Sequence, residues 1–135
     1  MLFHLGVLRA MNELGLLPLV DRVSSVSGGS IAAGTLARWW GSLTFDARGR
    51  ATNFDERVTA PVRQLASRTM DIPAGLLTLM PGAQVSDAVR DVYREVLVGD
   101  VTLQDLPGVG EGPLFIFNAA NLQTGGLFQI GRAHV

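Results

Sequence analysis

Apolar residues crowd the start of the chain. From Leu2 to Leu14 they cover most of a helical circumference, leaving Arg9, Asn12 and Glu13 as a narrow polar strip, and Gly15 follows where a helix C-cap belongs. The pattern predicts a largely buried helix. Pro18 breaks it, and Asp21 to Val26 reads as a short extended segment running into glycines. From Gly28 to Trp40 the small and apolar positions Ile31, Ala32, Ala33, Leu36 and Ala37 recur at helical spacing, small enough for close packing on a sheet. Helix, strand, tight turn, helix is the order of an α/β protein.

The second half is more punctuated. Gly41 to Arg50 is polar and glycine-containing and reads as a surface loop. Asn53 to Met70 carries Val58, Val62, Leu65, Ala66 and Met70 at helical spacing, and Pro61 inside it predicts a kink or a later start capped by Thr59. Ile72 to Pro81 is a short apolar piece bounded by prolines, consistent with a cover over an acyl channel or with a buried connecting helix. Val85, Val89, Val92, Tyr93 and Val96 form one stripe, with Ser86 at the N-cap and Gly99 past the end. Leu114 to Asn118 and Leu127 to Ile130 flank Thr124-Gly125-Gly126 and predict a strand pair around a glycine turn. The chain has no internal repeat.

Composition narrows the chemistry. The chain has 135 residues, 47% of them hydrophobic, enough to fill the core of one domain. A formal net charge of −1 and the lack of a Lys/Arg cluster argue against nucleic acid as a partner. There is no cysteine, which removes disulfides, thiolate metal sites and cysteine nucleophiles. No apolar run reaches the roughly 20 residues of a spanning helix.

The most informative run is Val23-Ser24-Ser25-Val26-Ser27-Gly28-Gly29-Ser30. A serine held on a sharp strand-to-helix turn needs small residues two positions before and two after it, and here those are Ser25 and Gly29. Gly29 fits G-x-S-x-G, while serine replaces the first glycine. Ser27 is therefore the candidate nucleophile, with the amides that follow it, Gly28 first, as candidate oxyanion donors. The glycines match neither G-x-G-x-x-G nor a P-loop, which has a lysine. A triad needs a histidine, and only His4 and His134 exist. His4 falls inside the first helix, where a partly buried or capping role is the simpler reading. Trp39 and Trp40, with Leu43 and Phe45, fit either a lipid-facing patch or core.

Leu2-Phe3-His4-Leu5-Gly6-Val7-Leu8-Arg9-Ala10, the Ser24 to Ser30 turn and Asn118-Ala119-Ala120-Asn121-Leu122-Gln123-Thr124-Gly125 together resemble the bacterial patatin-like phospholipases, in matching order across nearly the whole chain. The resemblance implies a three-layer α/β sandwich with a central sheet, present here in part over residues 1–129. It also implies a Ser-Asp dyad in place of a triad. Ser27 would form the acyl-enzyme, with no metal or organic cofactor, on a lipid or acyl-ester substrate of the phospholipase A or lysophospholipase type. The chain carries no signal that fixes its location; a cytoplasmic or peripheral-membrane one, with contact to a membrane surface, is the expectation, and no protein partner is expected. Asn118 and Asn121 mark the family and are expected to shape turns.

Two departures from the family pattern carry expectations. Its aspartate stands in an Asp-Gly pair, and no Asp-Gly occurs here. Its glycine-rich oxyanion loop precedes the first helix, which here begins at Met1-Leu2-Phe3. The reading therefore places the loop before Met1 and the aspartate after Gln129, and expects these 135 residues alone to be inactive on esters. Ile130-Gly131-Arg132-Ala133-His134-Val135 resembles the translation of a sequencing adapter, so 130–135 is expected to be a non-native tail. The alternatives are a triad-type α/β-hydrolase with His134 as base, and a non-catalytic binding remnant.

Overall fold

The computed structural model describes residues 1–70, 91, 93–121 and 123–131. Six main elements follow in order: α1 (Leu2–Glu13), β1 (Arg22–Val26), α2 (Gly28–Trp39), α3 (Ala60–Met70), β2 (Leu114–Ala120) and β3 (Leu127–Gly131). The mixed sheet has the order β1-β2-β3, with β1 parallel to β2 and β2 antiparallel to β3. Val26, the last residue of β1, lies opposite Asn118. The helix–strand–turn–helix order expected from the sequence is present, and the organisation is α/β.

The core gathers around α2. Leu36 and Ala37 on α2, Phe54, Val58, Val62 and Leu65 on the next helical stretch, and Phe115 on β2 are all buried in one cluster. α2 packs against both β1 and β2, so its small residues meet the sheet as their size predicts.

Two expectations change. α1 is a helix over the predicted span, yet only Leu5 and Asn12 are buried in it, while Phe3 is 77% exposed and Leu2 and Val7 are also exposed. The polar strip is divided as well. Asn12 Nδ2 donates to the Ala51 carbonyl at 3.1 Å and the Ala51 N–H donates to Asn12 Oδ1 at 2.7 Å, clasping α1 to the far end of the loop. An asparagine amide satisfies both backbone groups of one residue, which is why burial of this polar side chain is stable.

The second change concerns Pro61. The helical stretch begins before it as a π turn, Asp55–Thr59, in which the Ala60 N–H bonds to the Asp55 carbonyl, and α3 continues through Pro61. The wider turn replaces the ordinary ladder where the proline lacks a donor and its ring crowds the preceding turn. Thr59 does not cap a helix; its hydroxyl donates to Asp55 Oδ1 at 2.8 Å.

Of the two readings of the tryptophan region, Trp40 takes the core one. Trp40 is buried, its ring lies 5.6 Å from Phe45 and 6.4 Å from Phe115, and its Nε1 donates to the Glu111 carbonyl. Trp39 is half-buried, with the Arg38 and Arg57 guanidiniums 4.6 and 4.7 Å from its ring centre. Arg38 also donates to the Leu97 carbonyl, and burial lowers the pKa of its guanidinium.

Gly15 is required by the end of α1. It sits at φ +70°, and a Cβ there would fall 2.0 Å from the Arg48 carbonyl oxygen. Gly41 to Arg50 is largely loop, as expected; it opens with a 3₁₀ turn, Trp40–Ser42, and a Phe45–Ala51 bridge closes it. Gly99 lies past a second π turn, Arg94–Val98, at φ +58°. The expectations for Ile72 to Pro81, for the Ser86 cap and for His134 lie outside the described residues. Ile130 and Gly131 belong to β3, paired with Phe117 and Ile116. Among the described residues, no helix is long and apolar enough to cross a membrane.

Candidate active site

Ser27 joins β1 to α2 with φ 54° and ψ −129°, and among the described residues it is the single non-glycine at positive φ. Such a conformation costs on the order of 1–3 kcal/mol and persists only where the surroundings impose it. Here β1 imposes it from one side and α2 from the other. The Ser27 side chain makes no hydrogen bond that would cap α2, although serine is a favoured capping residue and the chain position is right. The hydroxyl is left exposed at the turn.

The glycines have a reason that the motif alone does not supply. A Cβ on Gly28 would lie 2.6 Å from the Met1 nitrogen, and one on Gly29 would lie 3.4 Å from His4 Cδ2 and 3.5 Å from His4 Nε2. The start of α1 is therefore docked over the start of α2. Gly28 and Gly29 occupy the first helical positions, whose N–H groups have no acceptor within the helix, while the Ser30 N–H donates to the Ser27 carbonyl at 2.9 Å. Two amides with no acceptor among the described residues, and the positive end of the helix dipole, thus follow directly on Ser27.

Ser25, the small residue two positions earlier, is 8% exposed, and its hydroxyl donates to the Ile116 carbonyl at 3.4 Å. One residue that the sequence marked only as a turn former does more. Asn118 Nδ2 donates to Ser24 Oγ at 2.9 Å and to the Ser25 carbonyl at 3.1 Å, and Gln129 Nε2 donates to Asn118 Oδ1 at 2.8 Å. The network crosses all three strands near the end of β1, and on β1 it reaches to two residues before the serine. It holds the strand from which the turn departs. Asn121, by contrast, shapes the β2–β3 turn, where its Oδ1 accepts from the Gln123 N–H at 2.9 Å.

A cavity of about 390 Å³ opens at Ser27 and Gly28 and continues past Ser30 and Ile31 along α2. Ser30 Oγ is buried and has no hydrogen-bond partner among the described residues. No histidine or carboxylate among the described residues lines this cavity. His4 lies close by, against Gly29, with an exposed ring whose edge meets Phe3. The structure thus brings together Ser27, Ser25, Gly28 and Gly29 at one turn.

The chain matches no family model, no curated protein and no solved structure.

Proposed function

We propose that the protein is a serine acyl hydrolase of lipid esters, with Ser27 as nucleophile and an aspartate as its base, in the manner of the patatin-like phospholipases and with their three-layer fold. The observation that carries the reading is the backbone of Ser27. A strained, exposed serine between a strand and a helix, uncommitted to capping and followed by the first two amides of that helix, is what nucleophilic attack on an ester carbonyl needs. In the forward step Ser27 Oγ bonds to the acyl carbon while its proton passes to the base; the Gly28 and Gly29 amides face the developing oxyanion. Collapse expels the alcohol with that proton, and water then releases the acyl group as the acid. The Asn118 network supports this geometry by holding the end of β1.

The test is fluorophosphonate labelling of the protein expressed from its complete gene, wild type against Ser27→Ala. Label on the Ser27 peptide that disappears in the variant is the expected result. Label kept by the alanine variant, or none on the wild type, rejects the assignment.

A further inference from the structure

We infer that Ser30 is a second catalytic hydroxyl, which donates to the acyl oxygen of an ester held at Ser27 and stabilises the charge that builds there. This rests on the hydrolase reading and adds a residue to that site.

The hydroxyls around the turn divide by their partners. Ser24 Oγ accepts from Asn118 Nδ2, Ser25 Oγ donates to the Ile116 carbonyl, and Thr35 Oγ1 donates to the Ile31 carbonyl at 2.8 Å. Ser27 makes no capping bond, and Ser30 Oγ is buried without a partner among the described residues. These two uncommitted serines both line the cavity.

Position explains why Ser30 differs from Thr35. A hydroxyl within a helix ordinarily returns to the carbonyl four residues back, as Thr35 does to Ile31. Four residues before Ser30 stands Val26, the end of β1 and outside the helix. The carbonyl three residues back, that of Ser27, already accepts from the Ser30 N–H at 2.9 Å. Ser27 is the N-cap of α2 and Ser30 its third helical residue, so the two stand on one face, and helical side chains lean toward the N-terminus. In a capping box the side chain at that third position turns back to the N-cap. Ser30 therefore directs its O–H toward a group bound at Ser27. Alanine would be the better helix former here and would bury no unpaired hydroxyl, whereas an ester oxygen supplies the acceptor that serine needs.

The step balances without a co-reactant. As Ser27 Oγ bonds to the acyl carbon, the π pair of the carbonyl moves onto its oxygen, and the Ser30 O–H donates to that oxygen while keeping its own proton. The bond weakens again when the carbonyl re-forms and the alcohol leaves, so Ser30 serves the transition state more than the ground state.

The test compares wild type with Ser30→Ala and with Ser30→Cys, which keeps the volume but offers only a weak donor, in protein expressed from the complete gene. Fluorophosphonate labelling of Ser27 should slow at least about tenfold in both variants, and kcat on p-nitrophenyl butanoate should fall as much with KM within about twofold. Melting temperature should hold or rise in Ser30→Ala, because an unpaired buried hydroxyl is removed. Wild-type rates in Ser30→Ala overturn the role of Ser30 alone. Slowing matched by a lower melting temperature in both variants also overturns it, since the hydroxyl then belongs to the structure. No label on Ser27 in the wild type rejects the hydrolase reading and the part of Ser30 in it together.

Discussion

The two ends of α2 are built to opposite standards. Its C-terminal half is packed: Leu36 and Ala37 are each 1% exposed, and they meet Phe54, Val58 and Val62 in the core. Its N-terminal end holds a strained serine, two glycines and a buried hydroxyl without a partner among the described residues. The second arrangement costs stability, and the first offsets it. Local strain in one helix is tolerable because the same helix is anchored two turns away.

If that division is right, the core should be far more sensitive than the turn. Phe54→Ala is expected to destabilise the protein by about 4 kcal/mol in chemical denaturation, because a fully buried ring leaves a cavity among rigid neighbours. A loss under about 1 kcal/mol would mean the core end is not what anchors α2. Asn12→Ala should cost about 3 kcal/mol, since it strands both the N–H and the carbonyl of Ala51. A neutral result would show that water replaces the clasp.

At the other end the effects shrink and then change sign. Asn118→Ala removes two donated bonds at a half-exposed site, for about 1.5 kcal/mol, and should slow labelling of Ser27. Labelling at the wild-type rate would separate the network from the turn. Ser27→Gly is expected to stabilise by about 1 kcal/mol: relief of the positive φ outweighs the extra freedom of the unfolded chain, and no cap is lost. Thermal melting of Ser27→Gly beside Ser27→Ala reads this directly, and a less stable glycine variant would show that the turn is unstrained.

The smallest effect belongs to neither end. Asp46 is held below its ordinary pKa of 3.8, first by the Arg50 N–H and also by the Arg48 N–H and the Arg50 side chain. A depressed carboxylate contributes stability above its unfolded pKa, and that contribution is lost as pH falls through the lower folded value. Asp46→Asn should therefore flatten acid denaturation slightly below pH 4 while lowering stability a little at pH 7. An unchanged acid limb would remove Asp46 from the account.

Much of this was legible in the chain because it is local. Six elements in order, Gly15 at the end of α1, Gly99 past its helix and a small-residue turn around Ser27 all depend on residues within a few positions of one another, where periodicity and turn chemistry act directly. Pro61 was legible as a disturbance and not as a π turn, because one residue's misfit can be absorbed in several ways.

The remainder depended on partners distant in sequence. Asn12 read as solvent-facing because its clasp lies on Ala51, and α1 read as buried because nothing in a helical pattern says which neighbour will cover it. Gly28 and Gly29 carried a motif, but that Met1 and His4 press on them follows only from how α1 docks. The Asn118 network joins β2 to β1 across more than 90 positions, and the cavity takes its second wall from Tyr93 and Leu97. The chain alone placed the serine on its turn; folding decided what holds the turn and what shape lies beside it, since contacts between distant segments leave no periodic trace in either one.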